Sequence, residues 1–206
     1  MCGRYALSLS PETVEALLED FPLPDLRSGP MPLPRYNVAP TQPVLTLGPG
    51  TAFWAHWGFQ RPDRIQVNAR SEKLRGRPNR CLVVADGFFE WKRVGAQRLP
   101  YHFRPLEGGL WAFGGLHKRG SVVILTTRPN DKVTLLHDRM PVIVDRSDWE
   151  EWLEPERSPP AARLLAPFAA QRMEVRPVSK AVNQVSNDGP DCLAPRPEEG
   201  QMGFRF

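Results

Sequence analysis

Cys2 directly follows Met1, in the run Met1-Cys2-Gly3-Arg4-Tyr5. A small second residue favours removal of the initiator methionine. Cysteine would then carry a free α-amine and a free thiol on adjacent carbons, with reference pKa values near ~7.7–8.0 and ~8.5. Such a 1,2-aminothiol condenses with an aldehyde. The amine forms a Schiff base, and the thiol closes it to a five-membered thiazolidine. Closure is intramolecular, and good orientation makes such a step worth on the order of 7–11 kcal/mol over its bimolecular counterpart. The competing reading of Cys2 is a small hydrophobe packed in a core.

Three further clusters could carry chemistry. Asn68-Ala69-Arg70-Ser71-Glu72 places an amide and a guanidinium two residues apart, which on an extended stretch aims both at one face. Arginine there can hold a phosphate bidentately, and asparagine can orient a carbonyl or hydroxyl. The same run also reads as a turn with an ordinary surface ion pair. In Asp86-Gly87-Phe88-Phe89-Glu90-Trp91 the Glu90 carboxylate is flanked by Phe89 and Trp91. Partial desolvation would raise its pKa toward neutrality and suit it to proton transfer. An edge-strand glutamate paired with a local arginine is the alternative. His137-Asp138-Arg139-Met140-Pro141 puts a histidine at a helix end just before a strand. Histidine is the commonest acid–base group at neutral pH, although one at a helix C-terminus is more often structural. His56, His102 and His117 read as packing or surface residues. Trp57 and Trp91 lie nearest the polar clusters and are the candidates for stacking on nucleic-acid bases.

These groups need a scaffold. Ser10-Pro11 reads as an N-cap and first helical residue, with Val14, Leu17, Leu18 and Phe21 at helical spacing. Apolar runs at 44–47, 53–57, 81–85, 110–113, 122–127, 141–144 and 175–178 suit strands. Asn130 is expected to cap a short helix carrying Val133, Leu136 and His137. Ser147-x-x-Glu150 is a capping-box pattern before Trp149, Trp152 and Leu153. Ser158-Pro159 is expected to open another helix containing Leu164, Leu165 and Phe168. The alternation of strand and helix is too irregular for a doubly wound sheet. The expectation is an α+β fold: a single domain over residues 2–186, with a largely antiparallel, barrel-like β core and peripheral helices. From 187 to 206, Gly, Pro and charge dominate, and a weakly ordered tail is expected.

Composition narrows the function classes. Hydrophobic residues make up 41% and charged residues 24% of 206 positions, the balance of a globular chain with a proper core. The 23 prolines point to short elements and many fixed turns. No stretch approaches the ~20 apolar residues of a membrane span, and no signal peptide opens the chain. Cys2, Cys81 and Cys192 are odd in number and contain no CxxC pair, which argues for a reducing compartment and against structural zinc. No metal or cofactor is expected. Net charge is +4, but residues 61–104 hold eleven Lys/Arg against four Asp/Glu. That local +7 reads equally as a phosphate footprint or as a solvated face.

In chain order, Cys2-Gly3-Arg4-Tyr5, Tyr36-Asn37-Val38-Ala39-Pro40-Thr41-Gln42, Asn68-Ala69-Arg70-Ser71-Glu72, Gly87-Phe88-Phe89-Glu90-Trp91 and His137-Asp138-Arg139-Met140-Pro141 resemble the SOS response-associated peptidase family. Its members link covalently to abasic sites in single-stranded DNA. The resemblance spans residues 2–183 and implies an α+β domain around a barrel-like core. It implies that Cys2 is the covalent residue and that Glu90 handles proton transfer. By the same resemblance, His137 assists Schiff-base formation and strand scission, and Asn68 positions the sugar. Arg4, Arg70 and Trp91 fall in the matching DNA-contact motifs. Two departures stand out. Trp57-Gly58 is followed by Phe59-Gln60-Arg61-Pro62, where many relatives have leucine and then Pro-x-Trp. Phe88-Phe89 stands where tyrosines are common.

The expected function is therefore cross-linking to abasic sites in single-stranded DNA through Cys2, with possible AP lyase activity. The expected setting is the cytoplasm, near the nucleoid during DNA damage, as a monomer and away from membranes. The family name implies peptidase activity, and removal of Met1 or a short leader is the only proteolysis the residues suggest. Two other readings stay open: an N-terminal-cysteine amidase of the glutaminase type, and a single-stranded DNA binding module without chemistry. If the aminothiol is the reactive group, intact-mass measurement of the active protein will show Met1 removed. Retained methionine in fully active protein would exclude the thiazolidine route.

Overall fold

Arg80–Ala85 and Ser121–Thr127 read RCLVVA and SVVILTT, continuous runs suited to strands buried on both faces. They form a closed ring with Pro43–Gly48, Thr51–Trp57 and Trp111–Lys118. Every joint in the ring is antiparallel except that between Thr51–Trp57 and Ser121–Thr127, which is parallel. The computed structural model describes residues 2–76, 78–154, 156 and 160–196. The α+β fold with a barrel-like, largely antiparallel core is the one expected from the strand pattern.

A second, wholly antiparallel sheet packs on the barrel. Its order is Met173–Pro177, Gln97–Pro105, Gly87–Val94, Tyr5–Leu7, Arg35–Val38. Asp86 marks the corner where the chain leaves the barrel strand Arg80–Ala85 and enters Gly87–Val94. The main core lies between the two sheets. There Phe88 stacks on Phe103 with centroids 4.7 Å apart, and Phe113 meets Tyr5 edge-on at 5.9 Å. A smaller cluster of Ala6, Phe89, Val178, Val182 and Cys192 covers the other face of the second sheet.

The helices are shorter than the sequence pattern suggests. Ser10 caps Pro11–Leu17 by accepting from the Thr13 amide. Asn130 Oδ1 accepts from the Lys132 and Val133 amides as a cap should, but the chain then makes a single 3-10 turn, Val133–Leu135. The capping box at Ser147 does not form. Ser147 lies inside a 3-10 turn, Arg146–Asp148, so it cannot cap the helix Trp149–Leu153 beyond it. Ser158-Pro159 lies outside the described residues, and after it only the 3-10 turn Ala162–Leu165 forms.

The tail expectation is corrected for 187–196. Asp188 Oδ1 accepts from the Tyr36 and Asn37 amides at 2.7 Å each, and its Oδ2 pairs with Arg35. Cys192 is buried, and Ser179 N–H donates to Ala194 O at 2.8 Å. The polar composition signalled a loop but not the carboxylate that ties it to a strand edge. Residues 197–206 lie outside the described set.

The helix Trp149–Leu153 docks through Trp152, which is fully buried and donates its indole N–H to Cys81 O at 2.9 Å. A Cβ at Gly114 would lie 2.6 Å from Trp152 Cζ2. Gly114→Ala is therefore expected to cost about 1–3 kcal/mol by overpacking, read as a lower urea midpoint. Gly189→Ala, where nothing lies within 4 Å of the added carbon, should stay within about 0.5 kcal/mol of wild type.

Candidate active site

The N-terminal strand sets the position of Cys2. Tyr5 lies opposite Phe88 and Ala6 opposite Gly87, and the Phe89 amide donates to Arg4 O at 3.0 Å. Continued by one residue, that antiparallel register brings Gly3 beside Glu90. Cys2 is fully buried. Its carbonyl accepts from Asn68 Nδ2 at 2.8 Å. Asn68 can reach it because Asn68–Arg70 pairs in parallel with Ser121–Thr127, Asn68 opposite Ile124. The chain leaves this barrel edge after Trp57, makes the hairpin Phe59–Gln60 with Ile65–Gln66, and returns to the same strand. Asn68 Oδ1 is buried with no hydrogen-bond partner among the described residues.

Burial shifts the pKa values of Glu90 and Cys2 in the same direction. It pushes the Glu90 carboxyl up to about 7, with the Asp138 carboxylate adding to the rise and the Arg98 guanidinium opposing it. It also pushes the Cys2 thiol well above the usual thiol range, and the Glu90 charge adds to that. The resting thiol is therefore protonated, and its near neighbour is a carboxyl that exchanges protons near neutral pH.

His137 approaches from a separate loop. Its ring is partly buried, and burial lowers its pKa while Asp138, 2.8 Å from Nδ1, opposes the shift. Nδ1 also accepts from the Arg139 amide at 3.0 Å. Arg139 forks onto Glu72 at 2.7 and 2.9 Å and also donates to Thr126 O. This pair ties the His137 loop to the segment that carries Asn68. Both partners were visible in the motifs, but only the fold brings them together.

The expected DNA-contact residues separate. Arg70 is exposed, two residues along the strand from Asn68. Arg4 turns inward instead: its Nη1 donates to Asn37 Oδ1 at 2.7 Å and to Val182 O at 2.8 Å. Trp57 as a stacking surface is corrected. It is fully buried, packs on Tyr5 at 5.4 Å and donates its indole N–H to Val67 O. Alternation along Thr51–Trp57 turns it to the core. Trp91 is half-buried, with its N–H on Asn183 Oδ1 at 2.7 Å. The guanidinium carbons of Arg4 and Arg98 lie 5.8 and 5.3 Å from its ring centroid. Asn183 comes from a segment 92 residues away, and Arg98 meets Trp91 through the hairpin pairing of Gly87–Val94 with Gln97–Pro105. Among the described residues, no group of three His, Cys, Asp or Glu could hold a metal, and no helix is long and apolar enough to cross a membrane.

A family model, described as SOS response associated peptidase (SRAP), matches residues 1–185. The chain belongs to the SRAP family. Among its SRAP relatives is the abasic site processing protein YoqW of Bacillus subtilis (strain 168), 32% identical over 94% of this chain and 99% of that protein. Another is the abasic site processing protein YedK of Escherichia coli (strain K12), 29% identical over 95% of this chain and 100% of that protein. A solved structure of a Bacteroides thetaiotaomicron protein shares the SRAP fold seen here, with a TM-score of 0.69 at 20% identity over 92% of each chain.

The raised Glu90 pKa makes a stability prediction with a definite sign. Between the unfolded carboxyl pKa and about 7, the folded protein binds more protons than the unfolded chain. The Glu90 contribution is fully present below the unfolded value and is lost as pH rises through about 7. Glu90→Gln should therefore gain on wild type by roughly 1–3 kcal/mol between pH 5 and pH 8, since a tenfold change in proton affinity corresponds to about 1.4 kcal/mol. Urea midpoints of both proteins at the two pH values measure this. Parallel pH profiles would show a carboxyl with an ordinary pKa.

Proposed function

We propose that this protein captures abasic sites in single-stranded DNA by condensing the Cys2 aminothiol with the aldehyde of the ring-opened deoxyribose. The observation that carries the reading is a buried Cys2, held by Asn68 and placed beside a carboxyl tuned to about 7. Relatives that match nearly the whole chain are named abasic site processing proteins, and the chemistry of the site suits the same substrate.

After loss of Met1, the Cys2 amine adds to C1 of the aldehyde and gives a carbinolamine. Glu90 in its acid form protonates the departing hydroxyl, and water leaves with formation of the Schiff base. Glu90, now carboxylate, takes the thiol proton. The sulfur attacks the imine carbon and the imine electrons pass to nitrogen, which is protonated. One aldehyde and one aminothiol thus become one thiazolidine and one water. Asn68 holds the Cys2 carbonyl, so the amine and thiol stay aimed at one carbon. His137 serves the proton steps of Schiff-base formation from the opposite loop. Ring closure removes the iminium that would drive β-elimination, so strand scission is confined to the interval before closure.

DNA is held by exposed Arg70 and by Trp91. Arg98 and Arg4 already sit against the Trp91 ring, so a base that stacks there displaces a guanidinium toward the backbone phosphates. Such binding is tolerant of base sequence.

The test is intact-mass and denaturing-gel analysis after mixing with single-stranded DNA carrying one abasic site. Wild type is expected to give a denaturation-resistant adduct that is absent with intact DNA and lost in Cys2→Ala. Cys2→Ser should give at most a reducible Schiff base, since an oxazolidine is less stable. Glu90→Gln and His137→Ala should slow adduct formation by roughly 10²–10⁴ while DNA binding persists. An equally durable Cys2→Ser adduct would show that the thiol is not the lock.

A further inference from the structure

The hairpin that carries Glu90 has a cationic tip. Gly87–Val94 and Gln97–Pro105 are joined by the two-residue turn Gly95-Ala96, with Gly95 at a φ of 57° that favours glycine. The register sets Arg93 directly opposite Arg98, and Trp91 opposite Pro100. Opposed residues share a face of the sheet, and so do residues two apart along a strand. Trp91, Arg93 and Arg98 therefore lie on one face, and Glu90 lies on the other. The Arg98 guanidinium carbon, 5.3 Å from the Trp91 ring centroid, agrees with that placement.

Like charges directly opposite one another destabilise a sheet. Arg93 and Arg98 are both exposed, and among the described residues neither guanidinium has a hydrogen bond or an ion pair. Arg4 is the third guanidinium at the ring, 5.8 Å from its centroid. Burial lowers the Arg4 pKa, and the Arg98 charge lowers it further. Glu90, whose carboxyl feels Arg98, is on the opposite face and leaves the array uncompensated there.

The array is braced by the 3-10 turn Lys180–Asn183. Trp91 Nε1 donates to Asn183 Oδ1 at 2.7 Å, Asn183 Nδ2 donates to Arg98 O at 3.1 Å, and Lys180 Nζ donates to Gln97 Oε1 at 2.8 Å. Two fixed guanidiniums beside an aromatic ring suit a ligand with both negative charge and a flat face. A single strand offers these in alternation, phosphates for the guanidinium forks and unpaired bases for the ring. A duplex keeps its base faces in its own stack. Arg93 is three residues past Glu90, about 10 Å of strand, so the array meets the nucleotides flanking the lesion rather than the lesion itself.

We infer that Arg93 and Arg98 form a clamp on the backbone phosphates of the single strand flanking the captured site, beside a base on Trp91. The inference rests on the proposed single-stranded DNA ligand but not on the chemistry at Cys2. The test is fluorescence anisotropy of Cys2→Ala protein with an intact single-stranded oligonucleotide across a salt series, where no adduct can form. Arg93→Gln and Arg98→Gln should each flatten the slope of log K against log salt by about 0.7, and the double variant by about 1.4. At about 0.1 M salt the double variant should bind on the order of tenfold more weakly. Arg93→Lys combined with Arg98→Lys should keep the slope, because lysine still neutralises a phosphate, whereas a folding defect would not be rescued by charge. An unchanged slope in the double glutamine variant, the same loss in the double lysine variant, or an equal effect on a duplex of the same sequence would overturn the clamp. Absence of binding to the intact single strand would overturn it as well. Capture fails separately: a wild type that gives no adduct with an abasic strand, while the slope still falls in the glutamine variants, refutes the chemistry at Cys2 and supports the clamp.

Discussion

A strand of three residues, Tyr5–Leu7, is paired on both edges, with Tyr5 opposite Phe88 on one side and Val38 on the other. Asp86 then grips the chain where that strand ends, through the Ser8 and Leu9 amides. Held on two edges and at one end, the segment has no freedom to slide, because a one-residue slip would reverse every side chain. Cys2 is three residues from Tyr5 and inherits that rigidity. The position of Glu90 follows from the ladder with Gly87–Val94, and that of Asn68 from the parallel pairing of Asn68–Arg70 with Ser121–Thr127.

The burial that fixes the site also sets its electrostatics. Removing Cys2 and Glu90 from water penalises the charged form of each, so the thiol rests protonated and the carboxyl titrates near neutrality. An exposed aminothiol would be free to oxidise or react with any aldehyde. Here Cys2 is fully buried, with the Glu90 carboxyl among the charges that act on it. The Arg139–Glu72 fork joins the His137 loop to the Asn68 segment, so His137 keeps its relation to the residue that holds the Cys2 carbonyl. Glu72 is half exposed while Arg139 is nearly buried. The fork acts chiefly as a positional tie, since an ion pair open to solvent contributes little stability.

Alternation along Gly87–Val94 divides the work of one strand between two faces. Phe88 and Glu90 point toward the main core and Cys2, while Phe89 and Trp91 point away. The outer face carries Trp91 with its two arginines, then the small core around Phe89. Asp86, at the corner between the two sheets, grips the N-terminal strand through one oxygen.

The sequence by itself singled out Cys2 as a candidate and determined the desolvated setting of Glu90 and the barrel-like β core. Each depends on local pattern: position next to Met1, aromatic neighbours, and apolar runs of strand length. It could not separate Trp57 from Trp91, since both are tryptophans beside polar motifs, and only strand alternation buries one and leaves the other half exposed. Nor could it show that Arg4 is spent on Asn37 and Val182, or that Asp188 ties 187–196 to the edge of Arg35–Val38. Those contacts join segments about 33 to 178 residues apart. Local pattern reports which side chains can face a core. Which partner a buried charge or amide finds is decided when distant strands pair, and only the tertiary structure records that.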